Sequence, residues 1–187
     1  IYVDPDTNQL QTVEDLQKVG NANPDFNLGF RNNLSWKGFN LGFLLTARIG
    51  GEVMSATQAI LDKYGVSEAS AIARDNGGVT VNFGKLDPQY FYEYIGGGDT
   101  GMLSNYVYSA TNVRLQELTL GYNLPKKWFN DKLNMTVSLI GRNLWMIYNK
   151  APFDPESIAF TGTYFQGLDY FMQPSLRNVG FSVRMQF

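Results

Sequence analysis

The chain has 187 residues, long enough for one domain with a sizeable core, and carries 15 Lys and Arg against 17 Asp and Glu, a net charge of −2. Taken over the whole chain, that balance offers no basic field for nucleic acid or for an anionic lipid surface. With no cysteine and no histidine, disulfides, thiolate metal sites and the commonest general base are excluded. Aromatic residues reach 14% and glycines number 19, a composition suited to many strands meeting at turns and interfacial girdles.

Residues 1–23 are polar and read as a loop ending in the Asn23-Pro24 turn signal. From Phe26, apolar side chains recur at Leu28, Phe30, Leu34 and Trp36, with Asn32 the exception. Lys37-Gly38 is a two-residue hairpin turn. The return strand sets Phe39, Leu41, Phe43, Leu45, Ala47 and Ile49 on one face, and Asn40, Gly42, Leu44, Thr46 and Arg48 on the other. Gly50-Gly51 opens a long excursion. Within it Ser55 is placed to cap a short helix through Tyr64 that Gly65 ends. Segments 79–83 and 89–94 read as strand extensions, and 96–101 as a loop tip. The tip matches G-x-G-x-x-G, but no buried strand precedes it and no helix opens at its glycines, so a dinucleotide site is not expected.

The best-patterned stretch runs from Arg114 to Trp145. Leu118, Leu120, Tyr122 and Leu124 alternate with Thr119, Gly121 and Asn123. A lysine-rich break at 125–132 follows, and Leu133, Met135, Val137 and Leu139 then alternate with Asn134, Thr136 and Ser138. A second long loop spans 149–173. The last strand sets Val179, Phe181, Val183, Met185 and Phe187 against Gly180, Ser182, Arg184 and Gln186.

Alternation alone suits a soluble β-sandwich as well as a membrane barrel. Two features favour the barrel. The oily faces hold no charge over whole spans, as lipid demands, since Lys or Arg there costs ~2–4 kcal/mol at mid-membrane. Connections also alternate between short (37–38, 125–132) and very long (50–105, 149–173), the asymmetry of barrels with short periplasmic turns and long outer loops. No apolar run approaches the ~20 residues of a spanning helix, whereas strands cross in ~9–11. About six strands are expected, too few to close a barrel. With no signal peptide before Ile1, the chain reads as a C-terminal piece of a longer secreted protein.

Arg114-Leu115, then 120–125 (Leu-Gly-Tyr-Asn-Leu-Pro) and 141–145 (Gly-Arg-Asn-Leu-Trp), resemble the C-terminal barrel region of SusC/RagA-type TonB-dependent outer-membrane transporters. Phe153-Asp154-Pro155-Glu156, Gly167-Leu168-Asp169-Tyr170, the 20–26 segment and Trp36-Lys37-Gly38-Phe39 keep the same order. The resemblance runs from about Gly20 to Phe187, weakest between 50 and 105. It implies an all-β fold, the closing strands of a barrel of about 22 strands, with plug, TonB-contacting segment and earlier strands lying elsewhere. It also implies import of glycan oligomers or peptides, a SusD-like surface lipoprotein as lid, energy from the TonB–ExbB–ExbD complex, and residence in the bacterial outer membrane. No catalysis and no cofactor is implied.

The final strand resembles the signal read by the barrel-assembly machinery, through Gly180, Phe181, Val183, Met185 and Phe187; an open edge suits recognition by β-augmentation. Trp36, Tyr122, Trp128, Phe129, Tyr148 and Phe187 sit at strand ends as girdle residues. Tyr90, Tyr92, Tyr94, Tyr106 and Tyr108, with Phe91, crowd the long loop, where they are candidates to hold a sugar or peptide, or to pack among loops. Asp4, Asp6, Asn8 and Asp15 fall at calcium-loop spacings but lack the Gly and the bidentate Glu. Asp154 and Glu156 are formally an acid/base pair, yet no nucleophile or base accompanies them. Arg114 and Arg142-Asn143 are read as bore or rim groups that hold barrel and loops together. The alternative functions are a soluble β-rich carbohydrate-binding domain and, more remotely, a secreted hydrolase.

Overall fold

A computed structural model describes residues 2–11, 17–97, 102–130, 132–159, 162 and 165–186. It divides the chain into two compact units.

The first is a single antiparallel sheet built from residues 23–51, 109–157 and 173–187. Its five long strands are β1 (Phe26–Trp36), β2 (Phe39–Ile49), β7 (Asn112–Asn123), β8 (Asn134–Asn149) and β10 (Asn178–Gln186), in the order β1-β2-β7-β8-β10. Five strands stand where about six were expected. Their lengths of 9 to 16 residues meet the ~9–11 needed to cross a bilayer.

Register follows from the turns. Lys37 (φ +46°) and Gly38 (φ +90°) both take the left-handed region, which the tight hairpin matching strand twist requires. Trp36 therefore faces Phe39, and Phe26 faces Ile49. The β7–β8 connection is a 3-10 turn at Lys126–Phe129 ended by Asn130 at φ 53°.

In β7 the alternation slips. By parity Arg114 would share a face with Leu118 and Leu120. Pairing to β2 jumps from Leu44↔Glu117 to Leu45↔Leu115, leaving Gln116 as a bulge. The extra residue turns Leu115 and Val113 onto the apolar face and moves Arg114 to the polar one.

The second unit comprises residues 1–22, 52–108 and 158–172. It holds β3 (Glu52–Ser55), α1 (Ala56–Lys63), α2 (Glu68–Asp75), β4 (Val79–Val81), β5 (Gly84–Leu86), α3 (Pro88–Ile95), β6 (Val107–Ser109) and β9 (Leu168–Asp169). β6, β3 and β9 form one small sheet, and β4 and β5 a hairpin. Its core gathers Val3, Leu10, Ala59, Leu86, Phe91, Ile95 and Tyr106. Ser55 caps α1 by accepting from the Gln58 N–H, as its position predicts. Of the expected strand extensions, β4 occupies the first. The second is a helix. Asp87 accepts the Tyr90 N–H and Pro88 fills the first turn, and this capping pair overrides the strand preference of four aromatic residues. Among the described residues no helix is long and apolar enough to cross a membrane.

Candidate functional site

The sheet has two chemically opposite faces. Cross-strand partners share a face, so the register aligns rows running over several strands. Leu34, Leu41, Leu120, Leu139 and Phe181 form one row; Trp36, Phe39, Tyr122, Val137 and Val183 form the next. Phe30, Leu45, Leu115 and Trp145 extend the surface past the bulge. No charged residue occurs in these rows, yet they are not covered. Phe181 is 80% exposed, Trp36 68% and Leu139 55%. A soluble sheet would bury such a face, because a contiguous apolar surface in water drives association.

The opposite face is lined mainly by small and polar groups: Asn33, Gly42, Thr119 and Gly180 in one row, with Ile140 the apolar exception, and Ser35, Asn40, Gly121, Ser138 and Ser182 in another; Leu44 is the second apolar exception. Glu117 stands centrally, 3.6 Å from Arg31 and 4.0 Å from Arg142. All three are solvated, so this triad contributes little stability. It sets instead a cationic polar surface, to which Arg48 and Arg184 add.

Toward the long-loop end the polar face is closed over by chain. Arg114, carried there by the bulge, donates from Nη2 to Asp154 Oδ1 at 2.8 Å and lies 3.3 Å from Glu156 Oε2. The Arg114 and Asp154 side chains are 4% and 8% exposed. Asp154 also accepts the N–H groups of Glu156 (3.1 Å) and Ser175 (3.1 Å). Burial pulls its carboxyl upward, but the bonds from Ser175 and Arg114 and the Glu156 N–H outweigh it, and the group ends below the ordinary carboxylate value. Asn112 Oδ1 supports the guanidinium at 3.4 Å, and Asn149 Nδ2 holds the carbonyls of Ala151 (2.9 Å) and Phe153 (2.7 Å). The Phe-Asp-Pro-Glu motif is thus a loop anchor. Both of its carboxylates converge on one guanidinium.

The edge strand β10 is exposed along its whole length and, among the described residues, pairs on one side only, with β8. Gly180, Phe181, Val183 and Met185 lie in it; Phe187 falls outside the described residues.

In the helical unit the five tyrosines fall in two groups: Tyr90 and Tyr94 have ring centroids 6.2 Å apart, while Tyr92, Tyr106 and Tyr108 neighbour Asp62. Tyr106 is buried within the core. Tyr108 donates to Gln58 Oε1 (2.6 Å) and Tyr94 to the Leu10 carbonyl (3.3 Å). Burial, and then the Asp62 carboxylate, raise the phenols of Tyr92, Tyr106 and Tyr108. Tyr92 lines a cleft of about 310 Å³ between α1, α2 and α3, together with Asp62, Lys63, Arg74, Gln89 and Glu93; Tyr90 is partly exposed nearby in sequence.

Asp4 accepts the Asp6 N–H (3.0 Å) and the Thr7 hydroxyl (2.9 Å), which hold its carboxyl below the ordinary value. With Asn8 at φ 54° this is a polar turn. Asp15 and the loop-tip glycines 98 and 101 lie outside the described residues, while Gly96 ends α3. Among the described residues no three acidic side chains gather as a metal site.

No family model matches the chain. It is 27% identical over 194 residues to "TonB-dependent receptor P3" of Formosa agariphila, a match covering 100% of this chain and 19% of that protein. "TonB-dependent receptor P39" of the same organism is 28% identical over 153 residues, covering 79% of this chain and 14% of the relative. The "RagAB peptide importer" in its "open-open" state superposes with a TM-score of 0.61 at 21% identity, covering 98% of this chain and 20% of that chain; its "closed-closed" state also gives 0.61. The chain thus spans a fifth or less of the length of these relatives. The matches bear out the resemblance to SusC/RagA-type TonB-dependent receptors, and the sheet-dominated fold is shared with the RagAB structure.

Proposed function

We propose that this chain is part of the wall of an outer-membrane β-barrel whose parent protein imports nutrient oligomers in a TonB-dependent manner. The observation that carries the proposal is the exposed, charge-free apolar face crossing five strands, opposite a small-residue polar face. Hydrocarbon would cover the first and a water-filled bore, with its plug, would adjoin the second. On this reading the barrel has about 22 strands and β10 closes it against the parent's first strand. The signal Gly180, Phe181, Val183, Met185 and Phe187 would guide assembly.

The proposed cargo is a glycan oligomer or a peptide, and the proposed lid a SusD-like surface lipoprotein. The Arg114–Asp154 anchor would shape the outer mouth on the long-loop side. Of the five tyrosines, Tyr90 is exposed and Tyr92 lines the cleft between the helices, which makes these two the proposed ligand contacts. A soluble carbohydrate-binding domain would not leave this much aligned apolar surface wet. The test is fractionation of the parent protein: detergent-dependent extraction from outer membranes, with a lipoprotein co-purifying, is expected. A monodisperse protein in plain buffer would overturn the proposal.

A further inference from the structure

The cations of the sheet unit are sorted by type. Arginines 31, 48, 114, 142 and 184 occupy the polar face and Arg177 the loop before β10, whereas every lysine of the unit except Lys150 gathers at the short-turn end. Lys37 lies in the β1–β2 turn; Lys126, Lys127 and Lys132 lie in the β7–β8 turn. The turns adjoin, since the Asn123 N–H donates to the Gly38 carbonyl at 2.8 Å. All four lysines are exposed, and none forms an ion pair with a described residue. By sequence only Asp131 opposes them, so four positive charges against one negative leave +3 across two turns.

Beside them lies the last row of the apolar face. Trp36 and Phe39 are exposed there, Phe39 packs 4.6 Å from Tyr122, and Trp128 is 69% exposed in the second turn. Lys37 Nζ sits 5.0 Å from the Trp36 ring centroid, which brings ammonium and indole together. Indoles and phenols favour the level where hydrocarbon gives way to headgroups. Lysine, a hydrated point charge on a flexible stem, suits phosphates in a fluid layer better than a fixed bidentate partner. The long-loop end mixes signs, with Asp25, Asp154 and Glu156 beside Arg48, Arg114, Lys150 and Arg177.

The geometry points to a binding surface for anionic phospholipid headgroups at the short-turn rim, formed by Lys37, Lys126, Lys127 and Lys132 with Trp36 and Trp128 at its apolar edge. The inference rests on the barrel-wall reading. Each lysine favours an anionic surface by roughly fivefold, so four discriminate anionic from neutral lipid by about tenfold or more once screening and flexibility are allowed for.

The test uses the whole parent protein in nanodiscs of phosphatidylcholine, alone or mixed with phosphatidylglycerol, with retained lipid identified by native mass spectrometry. The wild type should retain phosphatidylglycerol about tenfold over phosphatidylcholine. A combined K37Q, K126Q, K127Q, K132Q variant should fall near parity. If that variant does not fold, K37Q alone should weaken the preference, and added salt should erode it in the wild type. Inorganic phosphate titrated into the mixed discs at constant ionic strength should leave the phosphatidylglycerol preference unchanged. Equal retention of the two lipids by wild type, or an undiminished preference in the lysine variants, overturns the inference; so does competition by free phosphate. Failure to enter discs at all would count against the barrel-wall reading itself.

Discussion

Replacing Asp154 by Asn removes one charge from a pair whose side chains are 4% and 8% exposed. Breaking a buried pair from one side costs about 3–5 kcal/mol, because the remaining charge stays desolvated. Here the loss is partly offset, since Glu156 Oε2 already lies 3.3 Å from the guanidinium and can take more of its charge. We therefore expect ~2–3 kcal/mol for D154N and ~3–5 kcal/mol for D154N with E156Q. The assay is hydrogen exchange in the intact parent protein, read in the peptides holding the Glu156 and Ser175 N–H groups, both bonded to Asp154. An R114M variant completes a double-mutant cycle, with coupling of at least ~1 kcal/mol expected; effects adding within ~0.5 kcal/mol would refute the anchor. The pH dependence has a definite sign. A carboxyl held below its ordinary value of 3.8 stabilises fully above that value and loses its contribution as pH falls through the lowered one. Exchange at these amides should be flat at neutral to mildly acidic pH, after correction for intrinsic rates, and rise only below the ordinary carboxylate range.

Three other expectations follow from the same geometry. Leu120→Lys and Phe181→Lys should each cost ~2–4 kcal/mol in membrane folding, measured as loss of the heat-resistant folded band, whereas Thr119→Lys on the polar face should change it little. Gly38→Val should destabilise the first hairpin by about 1 kcal/mol or more, because φ is +90° and a Cβ there would lie 3.2 Å from the Tyr122 ring; an unfolding midpoint equal to wild type would contradict the turn. Asp87→Ala should loosen α3 by ~1 kcal/mol, seen as faster exchange at Tyr90 to Tyr92 with the sheet unaffected.

The strands were legible because one physical constraint, an apolar face beside a polar one, repeats every second residue. Val179 to Met185 shows it without interruption, and Phe39 to Ile49 with Leu44 as its one exception. Lys37-Gly38 was legible because few residue pairs take two left-handed conformations in succession. The limits arose where information is non-local or where signals compete. Tyr90 to Tyr94 carry strand-favouring side chains, but the cap at Asp87-Pro88 decides in favour of a helix. Arg114 reads as a bore or rim group although strict alternation would set it with the leucines, and only pairing to β2 shows how Gln116 bulges out and turns it to the polar face. The Arg114–Asp154 contact joins residues forty apart; the sequence marks Arg114 as a bore or rim group and Asp154 as part of a loop motif without showing that they meet. Calcium spacing at Asp4 and Asp6 is equally well explained by the turn bonds seen there.

Spin-label accessibility along β2 and β10 in lipid nanodiscs bears most directly on the barrel wall. Labels scanned from Phe39 to Ile49 and from Val179 to Met185 in the parent protein should alternate residue by residue. Odd positions should be relaxed by oxygen from the bilayer, and even positions by a water-soluble nickel chelate. A flat profile, or odd positions shielded from both agents beneath other protein, would contradict the account.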